Sequence, residues 1–63
     1  MKFTTEQLQV ADLVDELEVG QTVEIAETAS LKGGYVYRES PTRYTVNDSA
    51  PMCFIQACDA MFS

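Results

Sequence analysis

Residues 51–63, "PMCFIQACDAMFS", decide the fold of this chain because they read two ways. Pro51 suits the first turn of a helix, and Met52, Gln56, Ala57, Ala60 and Met61 tolerate a helix interior. Cys53-Phe54-Ile55 would equally serve in a strand. We read the stretch as a helix and keep a fourth strand as the alternative. On a helix, Gln56 and Asp59, with Met52, form a narrow polar strip, and apolar side chains cover the rest of the circumference. One small sheet hides only part of such a surface. The sequence therefore predicts self-association, most simply an isologous dimer through Phe54, Cys58, Met61 and Phe62.

Upstream, the elements are easier to read. Thr4-Thr5-Glu6-Gln7 fits a capping box with Thr4 at the N-cap and Gln7 at N3, and Phe3 and Leu8 take the positions of a hydrophobic staple. Val10, Leu13, Val14 and Leu17 follow at i, i+3, i+4 and i+7, so the spacing predicts an amphipathic helix that starts after Thr4 and is stopped by Gly20 at C′. The period then changes to two. "QTVEIAET" reads as a half-buried strand, "SLKGG" as a loop, and "YVYRE" and "RYTVN" as two further strands joined through Ser40-Pro41-Thr42. An even-length loop there puts Tyr35, Tyr37, Tyr44 and Val46 on one face, whereas a three-residue loop pairs Val36 with Val46. The first is preferred, because a three-residue loop wants Gly or Asn at its left-handed position and Thr42 is neither. The fold expected is α+β: an N-terminal amphipathic helix, a three-stranded antiparallel meander and a C-terminal apolar helix, with both helices on one face of the sheet.

At 63 residues the chain makes one small domain, residues 1–63, whose core supplies little stability beyond what folding costs. Domains of this size usually gain support from a disulfide, a metal or a partner. Cys53 and Cys58 are five apart, which points them in different directions on a helix or a strand, so both thiols are expected to be free. With no His and two Cys, a structural zinc site lacks its ligands, and neither a metal nor a cofactor is expected. Free thiols, the absence of an apolar signal-like run in "MKFTTEQLQV" and the absence of a membrane-length apolar run lead to the expectation of a complete, cytoplasmic protein that does not enter a membrane.

Catalysis has little to draw on. The commonest general base is missing, the Ser and Cys side chains have no base beside them, and paired carboxylates on an open helix face have nothing to separate their pKa values. Nucleic-acid binding lacks its electrostatics, since no Lys or Arg lies between Phe3 and Leu31. Arg38 and Arg43 beside Tyr37 and Tyr44 form a faint basic and aromatic patch that reads as Arg packed over Tyr. Lys32-Gly33-Gly34 lacks the spacing of a phosphate loop.

Charge is the remaining signal. The net charge is −6 and all of the excess lies in residues 1–31, which hold one cation and seven carboxylates, while residues 32–63 hold three of each. "DLVDELEVG", residues 12–20, concentrates Asp12, Asp15, Glu16 and Glu18 toward the negative pole of the helix, where like charges at i, i+4 and the macrodipole both oppose them. Such a row, spaced about 5–6 Å, imitates a phosphate backbone and suits a basic partner surface. The expected function is a small acidic, non-enzymatic inhibitor or regulator that occupies the basic, nucleic-acid-binding surface of another protein. In size and sign of charge, though in no motif, it is similar to the compact inhibitors that phages and mobile elements direct against nucleases, polymerases and CRISPR complexes. The alternative is an accessory subunit that associates through its apolar C-terminal segment, with the carboxylates serving solubility alone.

Overall fold

A computed structural model describes residues 2–63. Its elements are α1 (Thr5–Asp15), β1 (Thr22–Ile25), β2 (Gly34–Ser40), β3 (Arg43–Val46) and α2 (Phe54–Met61), an α+β arrangement with the strands in the antiparallel order β1-β2-β3. The capping box forms as the sequence demands. The Gln7 backbone N–H donates to Thr4 Oγ1 at 3.1 Å, and the Thr4 N–H donates to Gln7 Oε1 at 3.0 Å. The Gln7 side chain is buried, and its Nε2 donates to the Ser30 carbonyl at 3.1 Å, so one residue both starts the helix and fastens the β1–β2 connection.

α1 is shorter than its sequence pattern. It ends at Asp15 with Glu16 as C-cap, not at Gly20. Gly20 does adopt a positive φ, +92°, but in the turn that leads into β1, where its N–H donates to the Arg38 carbonyl at 2.8 Å. The inward stripe consequently consists of Gln7, Val10 and Val14, with Leu17 folded in by the turn that follows, while Leu13 stays 47 % exposed on the flank. That corrects the expected stripe, in which Leu13 faced the core.

The strand faces are also corrected. Val36 pairs with Val46, and Val36, Tyr44 and Val46 point into the core, leaving Tyr35 and Tyr37 on the outer face. The two-residue turn Pro41-Thr42 is of even length, as preferred, with Ser40 opposite Arg43. One additional residue, Glu39, then bulges out between Arg38 and Ser40. A single inserted residue reverses the parity of everything beyond it, so the Tyr side chains change face.

The C-terminal stretch is a helix, preceded by one residue of strand. Met52 exchanges both backbone hydrogen bonds with Tyr44 at 2.8 Å before Cys53 caps α2, so Pro51 lies ahead of the helix and not in its first turn. α2 packs on β3 and α1, and α1 packs on β1. The core unites Val10, Val14, Ile25, Leu31, Val36, Tyr44, Val46, Ala57 and Met61. Residues just past α2 then pair with the β1–β2 connection: Leu31 bridges Phe62, the Lys32 N–H donates to the Met61 carbonyl at 2.8 Å, and the Ser63 N–H to the Ser30 carbonyl at 3.0 Å.

Candidate functional site

The carboxylates of α1 are all exposed. Asp12, Asp15 and Glu16 project from its last turn and its C-cap, away from the stripe Gln7, Val10, Val14. Glu18 does not continue the row. It lies beyond the helix in a turn closed by the Gln21 N–H donating to the Glu18 carbonyl at 2.9 Å and the Glu18 N–H donating to Gln21 Oε1 at 3.0 Å. The residues at the negative pole are therefore Asp15 and Glu16.

How the helix tolerates them is answered from the sheet. The last turn of α1 has no basic residue of its own, and Arg38 of β2 supplies one. Its Nη1 donates to the carbonyls of Leu17 and, at 3.4 Å, of Asp15, while Nη2 donates to the Pro41 carbonyl at 2.8 Å. The guanidinium carbon also sits 5.2 Å from the centre of the Tyr44 ring, the stacked arrangement the sequence suggested. A cation at the carbonyl end of a helix offsets both the unpaired acceptors and the dipole. Because Arg38 engages backbone oxygens, the side-chain carboxylates above it remain directed to solvent. The clue in the sequence was an absence: a helix ending with acids and no base needs a cation from elsewhere, and the later half offers only Lys32, Arg38 and Arg43.

The residues expected to associate are divided by the fold. Cys58 and Met61 are buried in their own core, whereas Phe54 and Phe62 are half-buried. The most exposed apolar residue of α2 is Ile55, at 70 %. It belongs to a groove between the two helices, which run antiparallel: Phe3 before α1 meets Phe62 after α2 with ring centres 5.5 Å apart, and Asp15 at the other end lies in one pocket with Phe54 and Ile55. The groove holds about 190 Å³ and is walled by Phe3, Leu8 and Ala11 on one side and by Ile55, Asp59 and Phe62 on the other, with Cys58 at its floor. Leu8 is 53 % exposed, so the staple position leaves much of its side chain on the groove wall.

Acidic groups frame this groove. Asp12 stands one turn beyond Leu8 and Asp15 one turn beyond Ala11, while Asp59 stands one turn beyond Ile55. Burial, with the charges of Asp59 and Asp15 added, pushes the Cys58 thiol from its ordinary 9.0 up to about 11. Both cysteines are free thiols, and Cys58 stays protonated at neutral pH, which suppresses nucleophilic chemistry. Among the described residues no group of three or more Cys, Asp or Glu side chains is arranged to hold a metal, and no helix is long and apolar enough to cross a membrane. Comparison of the chain with protein-family models, with curated proteins and with solved structures finds no match.

Proposed function

We propose that the protein is a non-enzymatic binding inhibitor or regulator whose acidic helix end engages the basic, nucleic-acid-binding surface of a partner protein. The observation that carries this reading is the use made of Arg38. Of the two arginines that share a pocket with Asp15, Arg38 is committed to backbone carbonyls and Arg43 donates to the Thr42 carbonyl at 3.2 Å, so Asp12, Asp15 and Glu16 stay exposed on a rigid helix. Neither helix contains a Lys or Arg, and nothing basic interrupts the row along α1. A fixed set of carboxylates spaced about 5–6 Å substitutes for a stretch of phosphates on a surface selected to bind them. Glu18, past the end of the helix, extends the acidic area without sharing that spacing. The competing reading, an accessory subunit assembled through the C-terminal segment, has less in its favour, since Cys58 and Met61 are already enclosed within the monomer.

The test is capture from cell extract on immobilised wild type and on the Asp12→Asn, Asp15→Asn, Glu16→Gln variant. The expected result is a nucleic-acid-handling protein retained at low salt, released as salt rises, displaced from its DNA or RNA by the wild type, and lost on the neutralised variant. Equal capture by both proteins would overturn the reading.

A further inference from the structure

We propose that the groove between α1 and α2 is the specificity half of the binding surface, seating one large apolar side chain from a basic amphipathic segment of the partner while the surrounding carboxylates hold the Lys or Arg residues on either side of it. This rests on the reading of the acidic helix given above and adds what a row of charges lacks, a shape.

The argument starts from the two walls. Each carries an exposed aliphatic residue with an aspartate one turn further on: Leu8 then Asp12 on α1, Ile55 then Asp59 on α2. Because the helices are antiparallel, these aspartates lie on opposite sides of the apolar strip. Asp15 joins them at the end marked by Ile55, where Arg38 and Arg43 are also present but donate to backbone carbonyls, and Phe3 against Phe62 closes the other end. An apolar trough flanked by acids on both sides is matched by a segment with a Leu, Ile or Phe at its centre and cations a turn away in each direction, the layout of a helix-in-groove ligand. A neutral or acidic apolar segment would bring the carboxylates out of water without a partner, which disfavours it. A second copy of this chain is disfavoured for the same reason, since it would set the aspartates of one groove against those of the other. Burial of one such side chain accounts for about a tenfold gain in affinity over charge alone.

The test uses the intact protein and three probes: an amphipathic Leu–Lys peptide, a Ser–Lys peptide of the same charge and length, and the protein alone in sedimentation. Affinity is read by fluorescence anisotropy, and the site by amide shifts in NMR. The expected result is that the Leu–Lys peptide binds about tenfold more tightly than the Ser–Lys peptide. It should shift amides on both groove walls and lose its advantage on the Leu8→Ser, Ile55→Ser variant. Those two side chains are largely exposed, so the variant is expected to fold, which its own amide spectrum verifies. Equal binding of both peptides would overturn the groove proposal and leave the acidic-face reading standing. Failure of both to bind at low salt would overturn the two together. A dimer of the wild type that Ile55→Ser dissolves would overturn the proposal in favour of a second copy as occupant.

Discussion

Replacing Arg38 by Met tests the link between the sheet and the acidic helix end. Met retains an unbranched apolar stem of similar reach and removes the guanidinium. Of the three carbonyl contacts, the one to Leu17 is partly buried, the one to Pro41 is exposed at 2.8 Å, and the one to Asp15 is long at 3.4 Å. Hydrogen bonds from a charged donor contribute about 1.5–3 kcal/mol when sheltered and less in water, so the set amounts to about 2 kcal/mol. The contact over Tyr44 adds about 0.5–1 kcal/mol. A loss of about 2–3 kcal/mol is most of what a domain of this length holds in reserve, and it lowers the melting midpoint by roughly 10–20 °C. Urea denaturation followed by far-UV circular dichroism measures it. Arg38→Lys should recover only part of the loss, because an ammonium lacks the planar fork that reaches the carbonyls of Leu17 and Pro41 together. A Met variant within about 0.5 kcal/mol of the wild type would refute the reasoning and leave the acidic turn without a counterweight.

Four further expectations follow from the same structure. Gly34→Ala should destabilise by about 1–3 kcal/mol, since a Cβ there would stand 2.1 Å from Asn47 Oδ1, the acceptor of the Tyr35 N–H, at a φ of +147°; Gly20→Ala, with open space around it but a φ of +92°, should cost only about 1 kcal/mol, and thermal melts compare the two. Iodoacetamide at neutral pH should modify half-buried Cys53 well before buried Cys58, as peptide mapping would show. The Cys58 pKa is raised on folding, so the folded state holds its proton more tightly. Its contribution is fully present below about 9, and stability should fall as pH rises from about 9 to about 11, with the Tyr35 phenol, raised above 10.0 by its hydrogen bond to Asp48, adding in the same direction; Cys58→Ala should flatten the slope in alkaline urea titrations. Finally, Asp12→Asn with Glu16→Gln should raise stability by about 0.2–0.5 kcal/mol in low salt, through removal of an i, i+4 repulsion, and by less in high salt.

What was legible in the sequence was whatever is written locally. The N-terminus of α1 depends on Thr4 and Gln7, three residues apart, and forms as written. The order of the strands follows from period and turn residues in the same way, whereas the C-terminal segment reads both ways locally: it is a helix from Phe54, but Met52 ahead of it pairs as strand and Pro51 lies outside its first turn. What was hidden depends on distant partners. The end of α1 is braced by Arg38, more than twenty positions later, whereas Gly20, a stop signal by its local setting, serves the entry to β1 with its positive φ. The face of each Tyr on β2 turns on whether Glu39 is counted in the ladder or bulged from it, which composition does not reveal. The carboxylates of the candidate site were visible as charges. The groove beside them was not, because Leu8 and Ile55 become neighbours of one cavity only when residues 8 and 55 are brought together by tertiary packing.

The pairing of residues 61–63 with residues 30–32 bears on how the domain opens. Leu31 reaches the core as part of a connection held by the Gln7 side chain from one direction and by the backbone of Met61 and Ser63 from the other. α2 is tied to β3 at its near end through Met52 and to this connection at its far end, so lifting the helix off the sheet breaks both attachments. Segments far apart in the chain therefore open as one unit, and the amides of Lys32 and Met52 are expected to exchange their hydrogens slowly and at a common rate.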